Sequence, residues 1–265
     1  MTVRVQTFRG EGRAGGVAGA RSSVRATLGR QVFDHLRLLL IGGRVAPGER
    51  LSLRAVADAL GVSMTPVREA VSRLVADGAL EVLPNRVVRV PVLTLGQFRE
   101  LTRIRLVVEG FAASEAARSI SPGSLTRIVR HEQAFRRACD APRPSPARAV
   151  EENRKLHFEL YAATGMPQLV GVIEGLWLRA GPVLNLDMRD EPRRLKRGTA
   201  VRYHAALVEA LRRCDTDAAR TAVTGDIEAA AAHIEELGRL AQDTAGPAAV
   251  GAGAARSLPA RRRGA

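Results

Sequence analysis

Apolar residues recur at helical spacing from position 28, where Leu28, Val32, Leu36, Leu39 and Leu40 fall on one stripe, until Gly42 and Gly43 end the run. The pattern predicts a helix over 28–41. A turn through Pro47 and Gly48 leads to a second helical stretch over 52–60, with Leu53, Val56, Ala57 and Leu60 inward. Gly61 closes it and only Val62 intervenes before Ser63, which stands at the N-cap of a third helix over 64–76. Val67, Val71, Leu74 and Val75 form that helix's core side. After Gly78, residues 80–83 and 86–92 read as two strands around a Pro84-Asn85 turn. Helix, tight turn, helix and hairpin make a winged helix-turn-helix, expected over 25–92.

From position 94 the periodicity is helical throughout. Six helices are expected, at 94–119, 122–139, 146–164, 167–186, 192–213 and 215–239. Thr94 and Gln97 make a capping box, Gly165 ends the third of these helices, Asp215 or Thr216 begins the last, and Pro182 is expected to kink or end the fourth. The fold class that follows is mainly α: an N-terminal winged helix-turn-helix domain, then a C-terminal antiparallel α-helical bundle over 94–240. Residues 1–24 and 241–265 are rich in Gly, Ala, Arg, Ser and Pro without periodicity and are expected to be disordered tails.

Polar residues on the inward faces of such a bundle carry information. Asn153 and His157 are neighbours one turn apart. His204 shares a face with Val201, Val208 and Leu211, and Asp226 sits among Ala222, Val223, Ile227 and Ala230. Arg105 lies on the stripe of Leu101, Val108 and Ala112, with Glu109 one turn on. Burying these groups is costly unless they bind something or one another. Each alone reads more often as a core residue satisfied by a neighbour than as a ligand. Together Asn153, His157, His204 and Asp226 suit a hard or borderline divalent cation (zinc, nickel or manganese) with open positions for a carboxylate. The other histidines, His35 and His131, read as solvated, and His233 lies two turns beyond Asp226, too far to share an ion. The run Arg193, Arg194, Lys196, Arg197 reads as a solvated helix start or loop.

Charge changes this picture only locally. Of a net +14, residues 1–30 carry +5 and 241–265 carry +3, leaving +2 on 31–92 and +4 on 93–240. The start of the third helix is the sharper signal for nucleic acid. Pro66 costs little in a first turn, where backbone N–H groups lack helical partners, and the Ser63 and Thr65 hydroxyls with Arg68 would meet a major groove. Two cysteines, Cys139 and Cys214, are too few for a disulfide framework or a Cys-based zinc site. No apolar run approaches the roughly 20 residues that span a bilayer, so the expectation is a cytoplasmic protein without a membrane partner.

The stretch GERLSLRAVADALGVSMTPVREAVSRLVADGALEVLPNRVVRV resembles the DNA-binding head of GntR-type bacterial transcription regulators. The resemblance implies operator contacts from Arg54, Ser63, Thr65 and Arg68. Met64 stands where the family commonly has arginine, and Asn85 replaces the usual wing-tip glycine, so that minor-groove contact falls to Asn85 and Arg86. The segments RIRLVVEGFAASEAA, NRKLHFELYAATGMPQLV and YHAALVEALRRCDTDAA resemble the FCD effector domain of the FadR-type subfamily. Matching that family's metal ligands gives Asn153, His157, His204 and Asp226, with Asn in place of the first Asp and Asp in place of the last His. Arg105 matches an arginine that in some relatives binds the effector's carboxylate. The resemblance therefore implies a homodimeric repressor on palindromic operator DNA, modulated by a small organic acid, and no enzyme. A metal-dependent hydrolase with Glu109 or Glu152 as base, and a pure metal sensor, are the alternatives.

Overall fold

The computed structural model describes residues 19–190, 198–238 and 240–243. Its first helix, α1 (Gly19–Ile41), is followed by β1 (Arg50–Leu51), α2 (Leu53–Leu60), α3 (Met64–Ala76), β2 (Glu81–Val82) and β3 (Val88–Arg89). Ser52 caps α2 by accepting the Ala55 N–H at 3.2 Å. Gly61, at φ 64°, turns the chain out of α2 in the left-handed conformation that a side chain would strain. α1 begins at Gly19, inside the stretch expected to be a tail; its early turns lack an apolar stripe, but Ala and Arg there are good helix formers. Residues 1–18 lie outside the described residues.

The wing is a three-stranded antiparallel sheet in the order β1-β3-β2, pairing Leu51 with Val88 and Val82 with Val88. β1 was not expected, because two residues are too short to show alternation. At the wing tip, where Asn85 takes the place of the usual glycine, the positive φ falls on the next residue, Arg86 (61°). Asn85 instead accepts the Val87 N–H through Oδ1 at 3.3 Å, closing the turn with its side chain.

The second domain consists of α4 (Leu95–Arg118), α5 (Pro122–Asp140), α6 (Pro146–Ala162), α7 (Pro167–Asp190), α8 (Thr199–Arg212) and α9 (Thr216–Glu236). The Thr94–Gln97 capping box is formed, and Asp215 caps α9 through the Ala218 N–H. Pro182 does not end α7, which continues to Asp190: the buried turn around it is held against the end of α1. The fifth bundle helix starts at Thr199 rather than 192, and Arg193, Arg194, Lys196 and Arg197 lie outside the described residues. Where a tail was expected from 241, Ala241 pairs with Leu93 and Leu95, and the Asp243 carboxylate accepts the Gly96 N–H at 2.9 Å. The reason is electrostatic, since a carboxylate is favoured beside the unpaired N–H groups that open a helix.

One apolar core joins the two domains. It runs from Val32, Leu36 and Leu74 in the head to Ile173, Trp177 and Leu178 of α7 and on to Leu207, Leu211 and Val223. No described helix is long and apolar enough to cross a membrane.

Candidate DNA-contacting surface and metal centre

The back of α3 is fixed and its front is free. Pro66, Val67, Ala70, Val71 and Leu74 are buried, and the Arg73 guanidinium lies 4.1 Å over the Phe33 ring of α1. Ser63 occupies the N-cap, but its hydroxyl makes no capping hydrogen bond, contrary to the expected cap. Ser63 and Arg68 are exposed, as is Arg54 on α2, while Thr65 and Met64 are half-buried and Met64 packs against the core. At the wing tip Asn85 and Arg86 are exposed. Among the described residues the side chains of Arg54, Arg68 and Arg86 make no hydrogen bond or ion pair. Exposed cations and an unused hydroxyl at a helix start, on a rigid backing, form a surface for phosphates and base edges.

In the bundle, five helices converge on one buried network. Glu109 of α4 is fully buried and accepts from Arg105 Nε at 2.6 Å, from the Tyr161 hydroxyl at 2.5 Å and from Trp177 Nε1 at 3.1 Å. Burial works against the Arg105 charge, and Glu109 more than restores it. Burial, then the Glu109 charge, raises the Tyr161 phenol well above its ordinary range, so it stays protonated and donates to Glu109. Its oxygen is then the acceptor for His157 Nδ1, 3.0 Å away. His157 must therefore carry a proton on Nδ1, which aims Nε2 at the opposite side.

On that side stands Asp226 of α9. Its Oδ2 is 3.3 Å from His157 Nε2 and 3.6 Å from His204 Nε2, and one ligand atom from each of the three lies within 4.8 Å of the others. Burial would raise the Asp226 carboxyl, but the facing imidazoles outweigh it and hold the group below the usual carboxylate range. His204 is 1% exposed, and neither of its ring nitrogens has a hydrogen-bond partner among the described residues. A neutral His157 would set an Nε2 lone pair against a carboxylate oxygen. Only a proton on that nitrogen or a cation between the groups makes this arrangement favourable. The donor set, two imidazoles and a carboxylate backed by Tyr161 and Glu109, fits a borderline divalent cation.

The other expected residues fall around this centre. Asn153, one turn before His157, lines the same cavity of about 90 Å³ as Arg105, His157 and Asp226, together with Phe135, Trp177, Asn185 and Thr199. Arg105 reaches that cavity, but two of its N–H groups are already taken by Glu109. Neither base proposed for hydrolysis is free: Glu109 is held as described, and Glu152 pairs with His131 at 2.8 Å and with Lys155. That pairing also corrects the solvated reading of His131. Tyr161, Trp177 and Asn185 were missed. Tyr161 lies four residues after His157 on the same face, which was a legible signal.

Both domains have counterparts among known proteins. The FCD domain family matches residues 100–244, and the gntR family of bacterial regulatory proteins matches residues 28–90. The HTH-type transcriptional regulator McbR of Escherichia coli (strain K12) is 34% identical over 155 residues, which are 58% of this chain and 69% of that protein. The HTH-type transcriptional repressor RspR of the same organism is 24% identical over 210 residues, 78% of this chain and 89% of that protein. The solved structure of E. coli McbR/YncC matches with a TM-score of 0.73 at 30% identity, covering 79% of this chain and 98% of that one. A GntR transcriptional regulator from Rhodococcus sp. RHA1 matches with a TM-score of 0.63 at 25% identity, covering 79% and 98%.

Proposed function

The chain belongs to the GntR family of bacterial transcription regulators, with an FCD domain behind its DNA-binding head, and from that premise we propose that it is a homodimeric repressor whose grip on DNA is governed by a small organic acid and a divalent cation. The operator is a palindromic duplex read by two copies of α3. Arg54, Ser63, Thr65 and Arg68 make its major-groove and phosphate contacts, Met64 packs beside them, and Asn85 and Arg86 approach the minor groove. One α3 reads too few bases to select a genomic site, and two-fold pairing supplies the rest. Support for a second copy comes from α4, where Ile104, Val107 and Phe111 form an exposed apolar stripe, Val107 being 73% exposed.

The observation that carries the cavity reading is that the two buried ring nitrogens of His204, one of them 3.6 Å from Asp226 Oδ2, have no hydrogen-bond partner among the described residues. His157, His204 and Asp226 would hold the ion, with Asn153 beside them. When bound, a divalent cation supplies an electrophilic centre for a carboxylate ligand. Arg105 and Asn153 then orient that ligand, and Phe135, Trp177 and Ile227 exclude water around it. An organic acid alters DNA affinity only by as much as it favours the released arrangement over the DNA-bound one.

His204→Ala tests the assignment. Elemental analysis of the purified full chain is expected to find about one equivalent of divalent metal in the unsubstituted protein and a small fraction of it in the variant. Equal metal content in both would remove His204 from the ligand set. A second reading, in which the ion itself is the signal, is favoured by the engagement of Arg105 with Glu109, which occupies the expected carboxylate anchor.

A further inference from the structure

Helix α7 runs between the cavity and the DNA-binding head. Trp177, Leu184 and Asn185 line the cavity on one side. Toward the head, Glu174 pairs with Arg37 of α1, and the Asn185 carboxamide donates to the Ile41 carbonyl at 2.7 Å and to the Gly181 carbonyl at 2.9 Å. Ile41 is the last residue of α1, where carbonyls have no partner within the helix. A side chain of the effector domain thus satisfies the end of the head's first helix. Asn185 is 3% exposed, so its amide is committed to this contact and not to water.

The two backbones meet closely here. A Cβ on Gly181 would lie 2.7 Å from the Leu40 carbonyl oxygen and 2.8 Å from the Ile41 Cα, and a Cβ on Gly43 would lie 2.2 Å from the Asn185 Cβ. Gly43 also holds φ 54°, a second reason for glycine at that position. A joint packed this tightly does not slide by small amounts. Any displacement of α7 near Asn185 either carries the end of α1 with it or breaks the carboxamide bond.

We propose that Asn185 is the residue through which the state of the cavity reaches the DNA-binding head, facing the cavity's occupant on one side and holding the C-terminal end of α1 on the other. The proposal rests on the cavity reading given above. From α1 the path continues through contacts already described: Val32 and Leu36 pack in one core with Leu74 of α3, and Phe33 lies under Arg73. Moving the end of α1 therefore re-aims α3. The Arg37–Glu174 pair is partly solvated and contributes less to this linkage than the buried amide bond. A leucine at 185 would fill similar volume but leave the Ile41 carbonyl unpaired, so the amide is required for the tie and not for bulk.

Coupling between two sites is reciprocal, so DNA must change the cavity's affinity for its ion by the same factor that the ion changes DNA affinity. The test measures zinc affinity of the full chain by chelator competition, with and without a saturating duplex selected from a random pool. In the unsubstituted protein the duplex is expected to shift zinc affinity by about fivefold or more. In Asn185→Leu and Asn185→Ala the shift is expected to vanish, zinc affinity with and without duplex being compared within each variant so that any direct effect of residue 185 on the cavity it lines cancels. Retention of the full shift in both variants overturns the proposal. A readout that needs no substitution is amide hydrogen exchange at Gly42, Gly43 and Arg44, which is expected to change when zinc is added. Zinc binding that alters neither exchange there nor the DNA linkage contradicts this inference alone. A chain that binds no zinc contradicts the cavity reading and this inference together.

Discussion

His157 carries its proton on Nδ1 because the Tyr161 hydroxyl keeps its own and donates a hydrogen bond to Glu109, and that assignment leaves Nε2 for the space shared with His204 and Asp226. Tyr161→Phe removes the acceptor for Nδ1 while Glu109 keeps Arg105 and Trp177. Metal affinity is expected to fall about 10- to 100-fold with the fold intact by circular dichroism. Unchanged affinity would mean that the tautomer is set elsewhere. Cys139 is a second case in which burial decides chemistry: burial first, and then the Asp140 charge, pushes its thiol from 9.0 to about 12. A raised thiol pKa means a neutral, unreactive sulfur well above neutrality. Near pH 8 a maleimide is therefore expected to label one thiol per folded chain, the exposed Cys214, and the second only after denaturation. Rapid labelling of both would contradict the buried environment. His157, His204 and Asp226 were legible in the sequence because each interrupts an apolar stripe. Tyr161 carried a signal in its spacing from His157 that was missed, whereas Trp177 and Asn185 carried none, because an aromatic or an amide within an apolar run looks like ordinary core. Glu109, the partner of Tyr161 and Trp177, is supplied from α4, 52 residues from Tyr161 and 68 from Trp177.

At the scale of elements, α3 shows how a helix is divided between stability and recognition. Val67, Val71 and Leu74 anchor it, while Ser63 and Arg68 stay exposed, the Ser63 hydroxyl making no capping hydrogen bond and the Arg68 side chain no hydrogen bond or ion pair among the described residues. Arg68→Ala is expected to leave the melting temperature nearly unchanged and to weaken operator binding by about 1–3 kcal/mol if it reads a base. Equal affinity for the operator would remove Arg68 from the contact surface. The helices with strong periodicity and caps were legible nearly to the residue, as at the Thr94–Gln97 capping box. The misses share a physical cause in tertiary contact. β1 exists because β3 pairs with it, α7 persists past Pro182 because the end of α1 holds that turn, and residues 240–243 return because α4 opens with unpaired N–H groups.

For the whole molecule, a continuous apolar core runs from α3 through α1 and α7 and joins the winged-helix head to the FCD domain. The two domains were legible as separate periodic patterns. Their junction was not, since it depends on a bond between Ile41 and Asn185, 144 residues apart, and on glycines whose role appears only when two backbones touch. The central claim is that the occupancy of the His157–His204–Asp226 cavity sets the affinity of α3 for DNA. Fluorescence anisotropy of a duplex selected by the full chain, followed while zinc and then simple carboxylates are titrated, tests it most directly. The account predicts that a carboxylate added with the ion raises the Kd for the duplex by about tenfold or more, equivalent to roughly 1.4 kcal/mol, and that His204→Ala abolishes the effect. A Kd indifferent to both ion and acid, in a protein that binds the duplex well, would contradict it.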